Sequence, residues 1–169
     1  MDLEHTADDV EHLLTSGPGV CPFADVREGL RALRGRYTLA ILSNGDLASL
    51  ERVVENLSLP VDRVISAEQA GVYKPHPTVY RVAVELLGLK KEQVLHVASH
   101  GWDIRGAKSF GMLGAYINRV NVPYGDSPLK PDLEVSRLTD LAASLSWRCA
   151  RPRGAHPAAA SDSGQPSPP

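Results

Sequence analysis

The chain has 169 residues, 43% of them hydrophobic, which suits one domain with a sizeable core. A formal net charge of −2 and an aromatic content of 5% give no reason to expect nucleic acid or an anionic membrane as a partner. No apolar run is long enough to cross a bilayer, the N-terminal Met1-Asp2-Leu3-Glu4-His5 is acidic where a secretory signal is basic, and Cys21 and Cys149 lie far apart and read as reduced thiols, so the expected location is the cytoplasm.

In chain order, residues 7–15 read as a short helix with Val10, Leu13 and Leu14 at helical spacing, stopped by Ser16-Gly17-Pro18-Gly19. Residues 24–34 predict a second helix, with Asp25 near its start, Val26, Leu30 and Leu33 on one face, and Gly35 at its end. Residues 37–42, Tyr-Thr-Leu-Ala-Ile-Leu, form a compact run without polar alternation and predict a strand buried on both faces. After Ser43-Asn44-Gly45-Asp46, a helix follows with Leu47, Leu50, Val54 and Leu57 in register. A short strand is expected at 63–66 and a helix at 77–87, with Val79, Ala83, Leu86 and Leu87 on its apolar face.

Residues 94–98 predict a third strand, 102–110 a helix, 114–117 a fourth strand, 134–135 a fifth and 137–146 a last helix. This alternation predicts an α/β, Rossmann-like open parallel sheet with flanking helices. From about Arg148 the Pro-, Ala- and Ser-rich sequence has no apolar periodicity and reads as a disordered tail. The expected organisation is a linker region at 1–22, a core at 23–147 and a tail at 148–169.

In open parallel sheets, ligands bind beyond the carboxyl ends of the strands. Three such places carry groups suited to an anion. Ser43-Asn44-Gly45 offers short donors beside a helix N-terminus, although the same residues could serve only a turn and its cap. Lys74, in Gly71-Val72-Tyr73-Lys74-Pro75, is held in extended backbone by the following proline and could neutralise a carboxylate or phosphate; a solvated surface lysine is the plainer reading. Ser99-His100-Gly101-Trp102-Asp103 follows the third strand directly. Asp103 there could orient Lys74 or a water, or simply complement the helix dipole. His96 lies within the strand and His100 beyond it, so the two need not converge on a metal.

Taken together, Ile41-Leu42-Ser43-Asn44-Gly45-Asp46, Val72-Tyr73-Lys74-Pro75 with Tyr80, and Val97-Ala98-Ser99-His100-Gly101-Trp102-Asp103-Ile104 with Gly106-Ala107-Lys108 and Gly111 resemble the haloacid dehalogenase superfamily. Within it they most resemble the type II 2-haloacid dehalogenases. Ile117-Asn118-Arg119 and Pro131-Asp132-Leu133-Glu134-Val135 extend the resemblance, which covers roughly residues 20–146. It implies that an aspartate displaces halide from a small 2-haloacid and that water hydrolyses the resulting ester to a 2-hydroxy acid. By the same resemblance, Ser43 and Asn44 bind the substrate carboxylate, and Lys74 pairs with nucleophile and substrate. Tyr80 supports the loop carrying Lys74, Asp103 holds Lys74 or positions water, and Ser99 and His100 line the pocket. Many family members carry Asn where this chain has His100.

The phosphatases of the superfamily hold Mg²⁺ partly through Gly-Asp-x-x-x-Asp; here the earlier acid is replaced by Ser99. One carboxylate fewer favours chemistry with no metal or cofactor. The family's first motif, Asp-x-x-Gly-Thr-Leu, is not found. The chain reads as starting inside the helical cap, with residues 1–22 the remnant of that cap and a linker, through a misplaced gene start or a truncated gene. It is therefore expected to lack the nucleophile and the central strand, to leave apolar edges on the strands at 37–42 and 94–98, and to be inactive and poorly soluble alone. The remaining readings are a Mg²⁺-dependent phosphatase of the same superfamily and a non-catalytic protein that keeps the fold to bind a partner. The expected partner is a small carboxylate, and the resemblance also allows a homodimer.

Overall fold

The computed structural model describes residues 5–9 and 21–150. Of the helix expected at 7–15, residues 7–9 are helical and the rest lie outside the described residues, as do 1–4 and 151–169. The elements in order are α1 (Val26–Leu33), β1 (Ala40–Ser43), α2 (Leu47–Asn56), β2 (Arg63–Ser66), α3 (Pro77–Leu87), β3 (Leu95–Ala98), α4 (Gly101–Phe110), β4 (Leu113–Ile117), β5 (Leu133–Val135) and α5 (Leu138–Ala150), with single 3₁₀ turns at Ala67–Ala70 and Lys91–Gln93. No helix among the described residues is long and apolar enough to cross a membrane.

All strand pairs are parallel, as the strand–helix alternation requires, but they form two separate groups. β1 pairs with β2, aligning Ser43 with Ser66. β4 pairs with β3 on one side and β5 on the other. Among the described residues no strand pairs between β1 and β3. Ala40 is exposed, Ile41 and Leu42 are half-buried, and Val97 on β3 is 38% exposed. The run at 37–42 is thus less buried than its composition suggested.

β1 also starts later than expected. The Tyr37 amide donates to Leu33 O (3.2 Å) and so still belongs to the exit from α1. The Leu39 amide goes to the Asp62 side chain at 2.8 Å, which leaves ladder pairing to begin at Ala40. At the other end, α5 continues to Ala150, past the boundary where low-complexity sequence was expected to end the core.

Side chains alternate across β3 and β4, and two apolar clusters form on opposite faces. On one face, Tyr80 and Val84 of α3 pack with Ala107 of α4 and Met112, joined by Leu42, Val94 and Phe110. On the other, Ala115 and Ile117 of β4 pack with Leu138 and Leu141 of α5, joined by Val26 and Leu30 of α1 and by Leu95. Because Leu42 reaches the first cluster, β1 packs on the same core as β3 without pairing to it.

Asp25 ties α1 to α5. Its carboxylate accepts from Arg119 at 2.7 Å and from the Leu138 amide at 2.6 Å. Burial opposes ionisation here, but these bonds outweigh it and hold the carboxyl below its usual range. Gly29 permits the helix contact, since a Cβ there would lie 2.8 Å from Leu138 Cγ.

Candidate active site

Lys74 links the carboxyl end of β1 to the first turn of α4, the helix that follows β3. Its loop leaves the 3₁₀ turn through Gly71, whose φ of +67° suits a residue without a side chain, and enters α3 with Pro77 at the first helical turn. The Lys74 side chain is 9% exposed. Its Nζ donates to Leu42 O at 2.9 Å and to Asp103 Oδ2 at 2.7 Å. An ammonium has three N–H donors, so one is left without a partner among the described residues.

Asp103 stands in the first turn of α4 and is 5% exposed. Its Oδ1 accepts from Tyr80 Oη at 3.0 Å and lies 2.9 Å from His96 Nε2. Burial pushes its carboxyl upward, but the hydrogen bonds and electrostatic attraction of His96 and then of Lys74 outweigh this and bring it down to about 2. Asp103 is therefore a carboxylate at neutral pH. The Tyr80 phenol is driven well above its usual value, first by burial and then by the Asp103 charge, so it stays a donor.

The sequence-predicted residues divide in two. Asn44, Lys74, Tyr80 and Asp103 form one hydrogen-bonded group, and Ser43 precedes Asn44 at the end of β1. Asn44 accepts from the Lys74 amide at 2.8 Å and donates to Lys74 O at 3.3 Å, so its amide clamps the lysine's backbone. Ser43 Oγ accepts from the Gly45 amide at 3.2 Å, which leaves its hydroxyl hydrogen for a ligand. Tyr80 donates to Asp103 at both its carboxylate and its carbonyl, and so acts on Lys74 through Asp103. Ser99 and His100 are exposed at the neighbouring strand end, the His100 ring lying 6.0 Å from that of Trp102. Neither side chain hydrogen-bonds to the Lys74–Asp103 pair among the described residues.

Three further residues build the site. Ser66, 1% exposed, donates to Gly45 O at 2.6 Å and so fixes the turn after β1. Gly106 lets α4 approach α3: a Cβ there would collide with Tyr80 Oη and lie 2.8 Å from Pro75 Cβ. His96 is buried on the same face as Tyr80 and does not pair with His100. Among the described residues no three His, Cys, Asp or Glu side chains group to hold a metal. A hollow of about 360 Å³ opens beside Asn44, Gly45, Val72 and Tyr73. A wider one of about 600 Å³, along Pro123–Gly125 and Lys130–Glu134, shares no residue with the group.

The family model described as haloacid dehalogenase-like hydrolase matches residues 3–111. The chain belongs to that family. Similar relatives include haloacetate dehalogenase H-2 of Moraxella sp. (strain B), 41% identical over 117 residues, covering 68% of this chain and 52% of the relative. An (S)-2-haloacid dehalogenase of Pseudomonas sp. (strain YL) is 38% identical, covering 70% of this chain and 53% of the relative. Among solved structures, L-2-haloacid dehalogenase from Xanthobacter autotrophicus with chloropropionic acid covalently bound superposes with a TM-score of 0.77 at 29% identity, covering 85% of this chain and 69% of that one. The chain spans about half the length of the two curated relatives. In family terms, the matched region ends at α4 and includes the Ser43–Asn44 turn, Lys74 and Asp103.

Proposed function

We propose that these residues are the receiving side of a 2-haloacid dehalogenase site, in which an aspartate attacks the carbon bearing halogen and water then hydrolyses the ester. The observation that carries this reading is the buried Lys74, tied to Leu42 O and Asp103 with one N–H to spare, at the carboxyl ends of both strand groups. That spare donor, the Ser43 hydroxyl and the N-terminus of α2 suit a small carboxylate. Asn44 serves by clamping the Lys74 backbone and Tyr80 by orienting Asp103; Ser99 and His100 border the approach.

In the proposed reaction, a carboxylate oxygen of the aspartate bonds to C2 and the halide leaves with the C–X electron pair. Water adds to the ester carbonyl, the 2-hydroxy acid departs and the carboxylate is regenerated. Lys74 stabilises the negative charge gathered by attacking carboxylate and substrate. Asp103 is an unsuitable nucleophile because both its oxygens are engaged, and Asp46 is occupied in capping α2 through the Ser49 amide at 2.8 Å. By the family resemblance the attacking aspartate would belong to the Asp-x-x-Gly-Thr-Leu motif. We also propose a cytoplasmic protein that acts on a small carboxylate without nucleic acid, membrane or metal, with the homodimer as a candidate assembly.

Halide release from 2-chloropropionate tests the reading. The 169-residue chain alone is expected to release none. A fusion that adds the part of the Moraxella relative that this chain does not span is expected to release halide without added Mg²⁺ and to lose that activity on Lys74→Met. Turnover by the chain alone, or Lys74→Met leaving the fusion's rate unchanged, would refute it.

A further inference from the structure

His96 is absent from the set of residues that the family resemblance implies. It lies in the middle of β3, 8% exposed, with its ring edge-on to Tyr80 at 5.6 Å between centroids. Its Nε2 is 2.9 Å from Asp103 Oδ1. An ionised carboxylate only accepts hydrogen bonds, so Nε2 must carry a hydrogen whatever the charge on the ring. Tyr80 Oη donates to the same oxygen from α3 at 3.0 Å.

Two donors from different elements thus pin Oδ1, and Oδ2 is turned toward Lys74 at 2.7 Å. The terminal torsion of an aspartate is otherwise broad, and a carboxylate held by Lys74 alone could swing with it. Tyr80 divides its hydroxyl between Oδ1 and Asp103 O, at 3.0 and 3.2 Å, which leaves His96 as the donor directed at the carboxylate alone.

We propose that His96 is a positioning residue: by donating from Nε2 to Asp103 Oδ1 it fixes the carboxylate, and through it holds the Lys74 ammonium against Leu42 O. The functional meaning of this rests on the active-site reading of Lys74. The geometric claim does not, and its test reads Lys74 itself rather than turnover, so the two can fail separately.

The full chain is treated with acetic anhydride under native conditions, and acetylation of Lys74 is timed by peptide mass spectrometry. Lys108, paired with Asp132 at 2.7 Å, is the folding control in the same sample. His96→Gln keeps an N–H near the Nε2 position; His96→Met has similar size and no donor. The Met variant is expected to acetylate Lys74 about tenfold faster relative to Lys108, and the Gln variant to stay within about twofold of the parent, the spread that one charge-assisted hydrogen bond produces. Equal rates in the two variants overturn the proposal. If the Met variant unfolds, Lys108 also loses protection, and the ¹⁵N spectrum of the unsubstituted protein then decides. A protonated His96 Nε2 supports the proposal and an unprotonated one refutes it.

Discussion

Replacing Asp103 by Asn removes one oxygen and one charge from a carboxylate that meets three donors. If the new amide oxygen takes the Oδ1 place, its NH₂ faces the Lys74 ammonium across 2.7 Å, donor against donor. If it takes the Oδ2 place, the NH₂ faces Tyr80 Oη and His96 Nε2, which must give up their own donation. In both orientations Lys74, 9% exposed, keeps its charge without a counter-ion. Breaking a buried pair in this way costs about 3–5 kcal/mol.

The pH dependence supplies a second, independent sign. The Asp103 carboxyl lies at about 2 in the folded protein, against 3.8 for a free side chain. A lowered folded value gives stability that is fully present above the unfolded value and is lost as pH falls through the folded one. The window is therefore pH 4 to 2, and the amount is about 2 kcal/mol. Asp103→Asn has no such component. Its deficit relative to the parent should be full at pH 6 and shrink by about 2 kcal/mol on going to pH 2. Urea titrations at both pH values measure this through the transition midpoint, since the slope depends mainly on the area exposed. A deficit under about 1 kcal/mol at pH 6 would refute the buried-pair account. A full deficit that stayed constant to pH 2 would refute the lowered carboxyl.

Gly106→Ala would ordinarily stabilise a helix interior by up to about 1 kcal/mol, but the collision with Tyr80 and Pro75 should reverse the sign to a loss of about 1–3 kcal/mol, read as a lower melting temperature. Asn44→Ala removes both bonds to the Lys74 backbone and should cost about 1–2 kcal/mol by urea titration, with Asn44→Asp costing less because it keeps the 2.8 Å acceptor. Asp25→Ala strips the Leu138 amide and Arg119 of their shared acceptor and should cost about 2 kcal/mol, with hydrogen exchange rising first at the start of α5.

Much of this was legible in the chain itself. Strand–helix alternation placed the parallel strands, and the polar residues after 42, before Pro75 and after 98 marked where the site would assemble. Lys74 and Asp103 were readable because charge at a strand end must find a partner once buried. What alternation could not show is which partner a side chain takes in space. Asn44 was read as a ligand for substrate, and spacing could not show that its amide also pairs with the Lys74 backbone 30 residues away. Tyr80 was assigned to support of the Lys74 loop, and spacing could not show that its hydroxyl bonds to Asp103 across Gly106. His96 was weighed only as a metal ligand beside His100. Its place one residue from Leu95 puts it on the opposite face of β3, toward α3, and that period-two signal could have separated it from the metal reading. The extension of α5 to Ala150 was hidden because Trp147-Arg148-Cys149-Ala150 runs straight into low-complexity sequence.

The central claim is that Lys74, held by Asp103 and Leu42, keeps one N–H for an anion. The most direct measurement is the shift of the Lys74 ¹⁵Nζ–H resonance on titration of the chain with 2-chloropropionate, with propionamide as the neutral control. A saturable shift with the acid alone, absent in Lys130 of the same spectrum and weakened by Ser43→Ala, is the predicted result. A Lys74 signal that ignores the acid, or that moves equally with the amide, would contradict the account.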